Sequence, residues 1–131
     1  MRRPALAIIV ASENQEQRAI VRWLSMHPSL RDFYCKLNNE GKRTVVQGWN
    51  LKLMGLRPGV SDIMIYYPTK TFHGMFLEVK RNKKYSKSEM QTETWICQQE
   101  FIERVKSVGY DGKTCYGWED GKRIIEEYLL T

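Results

Sequence analysis

Glu78-Val79-Lys80, with Asp62 sixteen residues before Glu78, places two carboxylates and one ammonium in two short runs that are otherwise largely apolar. Metal-dependent hydrolysis of a phosphodiester needs those groups. Mg²⁺ and Mn²⁺ take oxygen ligands, and Mg²⁺ commonly uses one or two carboxylates together with water and substrate phosphate. Asp62 and Glu78 are therefore the expected ligands. The backbone carbonyl of Val79 is a third candidate, and Glu13 a fourth, through water or a second ion. A cation so held would activate water and offset the charge that builds on the phosphate. Lys80 supplies positive charge of its own, to orient the nucleophile or stabilise the transition state. No imidazole base is required, and His27 and His73 are assigned ordinary surface roles.

Two strands must position these groups. Residues 60–67 and 74–80 are rich in β-branched and aromatic residues, and Pro68 to His73 between them carries turn chemistry, so the pair reads as a hairpin. Side chains alternate faces along a strand. Met75, Leu77 and Val79 then share one face with Ile63 and Ile65 across the pair, and Glu78 and Lys80 share the other with Asp62. Any register that buries both apolar sets brings Asp62 alongside Glu78 or Lys80. A Glu-x-Lys triplet alone is a weak signal, because exposed strands often carry opposite charges two residues apart. An Asp at the start of the partner strand, the Pro58-Gly59 turn before it, and helical Glu and Gln residues on either side make it a stronger one.

Those helical residues come from two segments. Ser12 is an N-cap for a helix reaching about Met26, with Pro28 beyond its end. Its apolar stripe comprises Ala19, Ile20, Trp23 and Leu24, which Glu13 and Gln17 extend with polar groups; Glu16 competes with Glu13 for the same role. A second helix is expected from about Glu93 to Val108, ended by Gly109, with Phe101, Ile102, Val105 and Val108 facing the core. Gln98 lies on that face, where it would hold the lysine or the attacking water; Gln91 is a competing match. Residues 31–37 and 44–49 read as two short strands separated by a turn from Asn38 to Arg43. Arg81 to Ser88 reads as a polar basic loop leaving the strand where Lys80 sits. Thr114 to Trp118 reads as a strand, and Asp120 to Leu130 as a closing helix with Ile124, Ile125, Tyr128 and Leu129 inward.

The 131 residues, 42% hydrophobic and 27% charged, fit one domain spanning residues 1–131, with its core from about residue 12. A formal net charge of +6 favours an anionic partner over a small apolar ligand. Lys42, Arg43, Lys83, Lys84 and Lys87 are the expected contacts to a phosphate backbone. The three cysteines, Cys35, Cys97 and Cys115, form no C-x-x-C pair, so neither a disulfide framework nor a zinc site is suggested, and a reducing intracellular setting is expected. The first eleven residues imitate a signal peptide, but their apolar run is short and Ser12 at once opens a helix, so secretion is not expected. No run reaches the length of a membrane span.

In order along the chain, Ser12-Glu13…Gln17, the Asn39 to Arg43 turn, Gly55…Pro58-Gly59-Val60-Ser61-Asp62, Glu78-Val79-Lys80, Gln98…Phe101-Ile102…Gly109 and Trp118-Glu119-Asp120 resemble the VRR nuclease (VRR-NUC) family of the PD-(D/E)xK nuclease superfamily, over nearly all of residues 12–131. Ser61 stands where the motif's name has Pro. The resemblance implies an α/β, restriction-endonuclease-like αβββαβ core, a mixed sheet flanked by helices, with Mg²⁺ or Mn²⁺ bound by Asp62 and Glu78, Lys80 assisting attack, Gln98 supporting the site and Glu13 contributing from the first helix. It further implies an endonuclease acting on branched DNA in the manner of a Holliday-junction resolvase, and a homodimer, since two symmetric cuts need two sites. Three readings compete with it: a flap or fork repair nuclease of the same family, a non-catalytic DNA-binding module that keeps the fold, and a hydrolase of a small nucleotide. The last would call for a Gly-rich phosphate loop opening a helix, which the sequence lacks.

Overall fold

The computed structural model describes residues 9–37 and 44–131. The turn read at Asn38 to Arg43, with Lys42 and Arg43, lies outside the described residues, as does the start of the apparent signal sequence.

Helix α1 (Glu13–Ser25) starts where the sequence predicts, because Ser12 and Gln15 form a reciprocal capping box: each side chain bonds the other's backbone amide. Strand β1 (Tyr34–Lys36) follows, then helix α2 (Val45–Leu53), strands β2 (Ile63–Ile65) and β3 (Met75–Lys80), helices α3 (Lys87–Met90) and α4 (Glu93–Lys106), strand β4 (Asp111–Tyr116) and helix α5 (Trp118–Leu129). The sheet order is β1-β2-β3-β4, antiparallel between its first three strands and parallel between β3 and β4. It is the mixed sheet flanked by helices that the αβββαβ core requires, with α2 inserted after β1 and α3 after β3.

The apolar side of the sheet carries Ile63, Ile65, Met75, Leu77 and Val79. It packs against Ile20 and Leu24 of α1 and against Ile124, Ile125 and Tyr128 of α5, all buried. The opposite side of β3 meets α4, where Phe76 packs edge-on against Phe101 and Glu78 and Lys80 are covered as well. Strand β3 is thus closed on both faces, although only one of them is apolar.

Several sequence expectations are corrected. Residues 44–49 form a helix, not a strand: the β-branched pair Val45-Val46 is overruled by a capping box between Thr44 and Gln47 that opens α2. The strand expected at Thr114 to Trp118 begins three residues earlier, because pairing with β3 draws in Asp111, Gly112 and Lys113 despite their poor β-propensity. Trp118 instead opens α5, two residues before the expected start. Helix α4 stops at Lys106, two residues early, and leaves Val108 exposed rather than in the core. The segment read as a basic loop contains the single turn α3, capped by Ser86 and Glu89, so Lys87 is helical.

The approach to β2 depends on Gly59. Its φ is +80°, a left-handed conformation, and a Cβ there would lie 2.5 Å from the Cys97 carbonyl oxygen on α4. The turn before Asp62 is thereby pressed against the helix that carries Gln98. Gly59→Ala should lower unfolding stability by at least ~2 kcal/mol, from backbone strain and clash together, as measured by urea denaturation.

Candidate active site

Asp62 precedes β2 by one residue and lies opposite Glu78, in continuation of the Ile63–Leu77 pairing. The Val79 amide donates to Asp62 Oδ2 at 2.7 Å, which fixes that carboxylate against β3. Lys80, two residues beyond Glu78 and on the same face, places Nζ 3.7 Å from Glu78 Oε1. Its Nζ also donates to Gln98 Oε1 at 2.7 Å and stands 4.5 Å from the centre of the Trp95 ring. Asp62, Glu78, Lys80 and Gln98 are all buried. The predicted constellation therefore assembles from three elements: the approach to β2, the end of β3 and the core face of α4.

Its electrostatics are uneven. Glu78 is pushed up to about 9, chiefly by burial and next by the Asp62 carboxylate, against the opposing pull of Lys80. Glu13 adds to the upward push, so the first turn of α1 brings a third carboxylate within electrostatic reach. Glu78 Oε2 is buried with no hydrogen-bond partner among the described residues. An unpaired buried carboxylate oxygen is costly unless a proton or a cation satisfies it. Among the described residues no three His, Cys, Asp or Glu side chains form a set that could hold a metal ion. The oxygen donors at hand are the Asp62 and Glu78 carboxylates, a number that suits Mg²⁺ or Mn²⁺ completed by water and substrate. The orphaned Glu78 oxygen and the hard character of the donors fit such a cation.

Glu13 and Glu16, which compete for one role in the sequence, have different surroundings. Glu16 is buried and its Oε2 accepts from the Trp118 amide at 2.7 Å. Gly117, the N-cap of α5, offers no side chain for that task, and Glu16 replaces it from another helix. Gln98 is likewise the glutamine that meets Lys80, while Gln91 sits exposed at the end of α3. Gln17 is half-buried and lines a surface pocket with Asn14, Arg18 and Lys36 instead of facing Glu78.

Of the basic residues, Lys83 bonds Glu89 at 2.8 Å and holds that carboxyl down to about 2, while Lys84 and Lys87 are exposed. Arg81 is spent on the backbone: its guanidinium donates to the Ala11 and Val10 carbonyls, tying the entry of α1 to the end of β3. Sequence reasoning missed Trp95, the ring beside the Lys80 ammonium, although it lies one turn before Gln98 and so on the same helical face. It also missed Tyr85, whose hydroxyl accepts from the Arg81 amide and whose ring packs against Trp95.

The raised Glu78 pKa has a consequence for the metal-free protein. The unfolded carboxyl ionises near 4.5 and the folded one near 9, so the protonated form is favoured by folding and its stability is lost as pH rises between those values. Glu78→Gln, which keeps the shape without the charge, should raise the melting temperature in EDTA at pH 8 and make little difference at pH 4.5. The gain at the higher pH is at most roughly 5 kcal/mol.

No family model matches the chain, and no curated protein matches it. Among solved structures, one described as a "VRR_NUC domain protein" superposes with a TM-score of 0.76 at 20% sequence identity, over 94% of this chain and 92% of that one. At that identity the likeness is one of fold. The chain therefore shares its α/β fold, a mixed sheet flanked by helices, with a VRR_NUC domain protein.

Proposed function

We propose that the protein is a Mg²⁺- or Mn²⁺-dependent deoxyribonuclease that hydrolyses phosphodiester bonds in branched DNA, with a four-way junction as its preferred substrate. The observation that carries this reading is the buried Asp62–Glu78 carboxylate pair beside a Lys80 ammonium that Gln98 and Glu78 hold from two sides. The shared fold with a protein described as a VRR_NUC domain protein supports it independently.

In this mechanism Asp62 and Glu78 would hold the cation with the Val79 carbonyl, and Glu13 would contribute from α1 through water or a second ion. When bound, the metal supplies an activated water and offsets charge on the phosphate. Lys80 presents its ammonium to the scissile phosphate. Because Gln98 and Trp95 fix that ammonium in advance, little reorganisation is needed when charge develops. Lys83, Lys84 and Lys87, with Lys42 and Arg43, carry the flanking phosphates.

Two protomers would make the paired cuts that a junction requires. Support for a homodimer comes from α2, where Val45, Val46, Trp49 and Leu53 are all exposed, an apolar surface that a second copy would cover. Within the described residues no helix is long and apolar enough to cross a membrane.

The test is cleavage of a labelled four-way junction, a 5′ flap and a linear duplex side by side, with Mg²⁺, Mn²⁺ or EDTA. Paired symmetric cuts in the junction, lost in EDTA and in a folded Glu78→Ala variant, are expected. Cuts confined to the flap would replace the junction reading with that of a repair-type nuclease. Binding without cleavage in any metal would overturn the enzymatic reading in favour of a DNA-binding module.

A further inference from the structure

A groove of about 480 Å³ lies on the far side of α1 from Glu13, between that helix and the first residue of α5. Trp23 and Trp118 line it together with Arg18, Arg22, Gln15 and Met26. Both indoles rest partly on the hydrophobic core, so their rings are held from behind, and Trp23 is further braced edge-on by His27. Both arginines are exposed, and neither has an ion-pair partner among the described residues. Arg18 also borders the neighbouring pocket that contains Lys36, so positive charge continues around α1.

Rigid indole faces with guanidiniums at their edge form a stacking site for a flat ring that carries a phosphate. The groove also lies close to the candidate active site. Trp118 follows Gly117, whose amide donates to the Lys80 carbonyl at 2.9 Å, and the Trp118 amide is held by Glu16 of α1.

We propose that this groove binds an unpaired nucleotide of the substrate strand, with the base stacked on Trp23 and Trp118 and its phosphate on Arg18 and Arg22. The proposal rests on the nuclease reading for the identity of the strand and adds a contact to an unpaired base. A fully paired duplex has no free base to offer the groove.

Binding of a labelled oligothymidylate in EDTA tests the proposal apart from cleavage. Arg18→Ala/Arg22→Ala, at two exposed helical positions where Ala preserves the helix, should weaken binding about tenfold or more and flatten the salt slope by roughly one to two. Blunt-duplex binding should change far less. Trp118→Phe should retain most of the affinity and Trp118→Ala should lose it, with circular dichroism establishing that both are folded. Unchanged oligothymidylate affinity in the folded double arginine variant would overturn the proposal. So would competition by thymidine monophosphate at the oligomer's own concentration, which would mark a free-nucleotide site. The two readings fail separately: groove-dependent strand binding without metal-dependent cleavage would refute the nuclease, and cleavage with groove-independent binding would refute the groove.

Discussion

The buried carboxylate of Glu78 is the constraint around which the site is organised. It lies on a strand covered on both faces, beside a second carboxylate, with one oxygen lacking any partner among the described residues. The neighbouring ammonium of Lys80 offsets part of the cost but not all, since Glu78 still ionises only near 9. Lys80 is in turn buried and must be held to be of use, which explains the converging Gln98 amide and Trp95 ring. A fold that only needed a core would place Leu or Val at position 78. The local instability persists where something that binds there can relieve it, and strain of this kind clusters at functional sites.

The surrounding fold fixes the geometry of that instability. Gly59 permits the turn that sets Asp62 opposite Glu78. Arg81 ties the entry of α1 to the strand end, and Glu16 caps α5 from α1, so α1, β3 and α5 meet at one corner of the molecule. Glu13 approaches Glu78 from that corner. The carboxylate that reaches the acids and the one that closes the fold are a single helical turn apart, and they are not interchangeable.

Much of this was legible in the sequence because it depends on local patterns. The alternation of Met75, Leu77 and Val79 with Glu78 and Lys80 specifies both the strand and the face of the acids, and Ser12 with Gln15 marks the start of α1. What could not be read depends on distant parts of the chain. Val45-Val46 is an exception, since it favours a strand although the Thr44–Gln47 capping box that overrules it is local. Asp111-Gly112-Lys113 has no strand signature and becomes one only by pairing with β3. Glu13 and Glu16 both suit the buried side of α1, and only the position of the Trp118 amide separates them. Trp95 could have been found, since it sits three residues before Gln98 on one face, but an aromatic residue at such a position reads first as core.

If Glu78 is protonated in the metal-free protein, as its burial beside Asp62 requires, a divalent cation that binds there must displace the proton. Calorimetric titration of Mn²⁺ into the metal-free protein at pH 7, repeated in buffers of different ionisation enthalpy, measures binding and proton release together. Close to one proton released for each ion bound is expected, with loss of both binding and release in Glu78→Gln. Mn²⁺ binding without proton release, or equally tight binding by Glu78→Gln, would contradict that displacement.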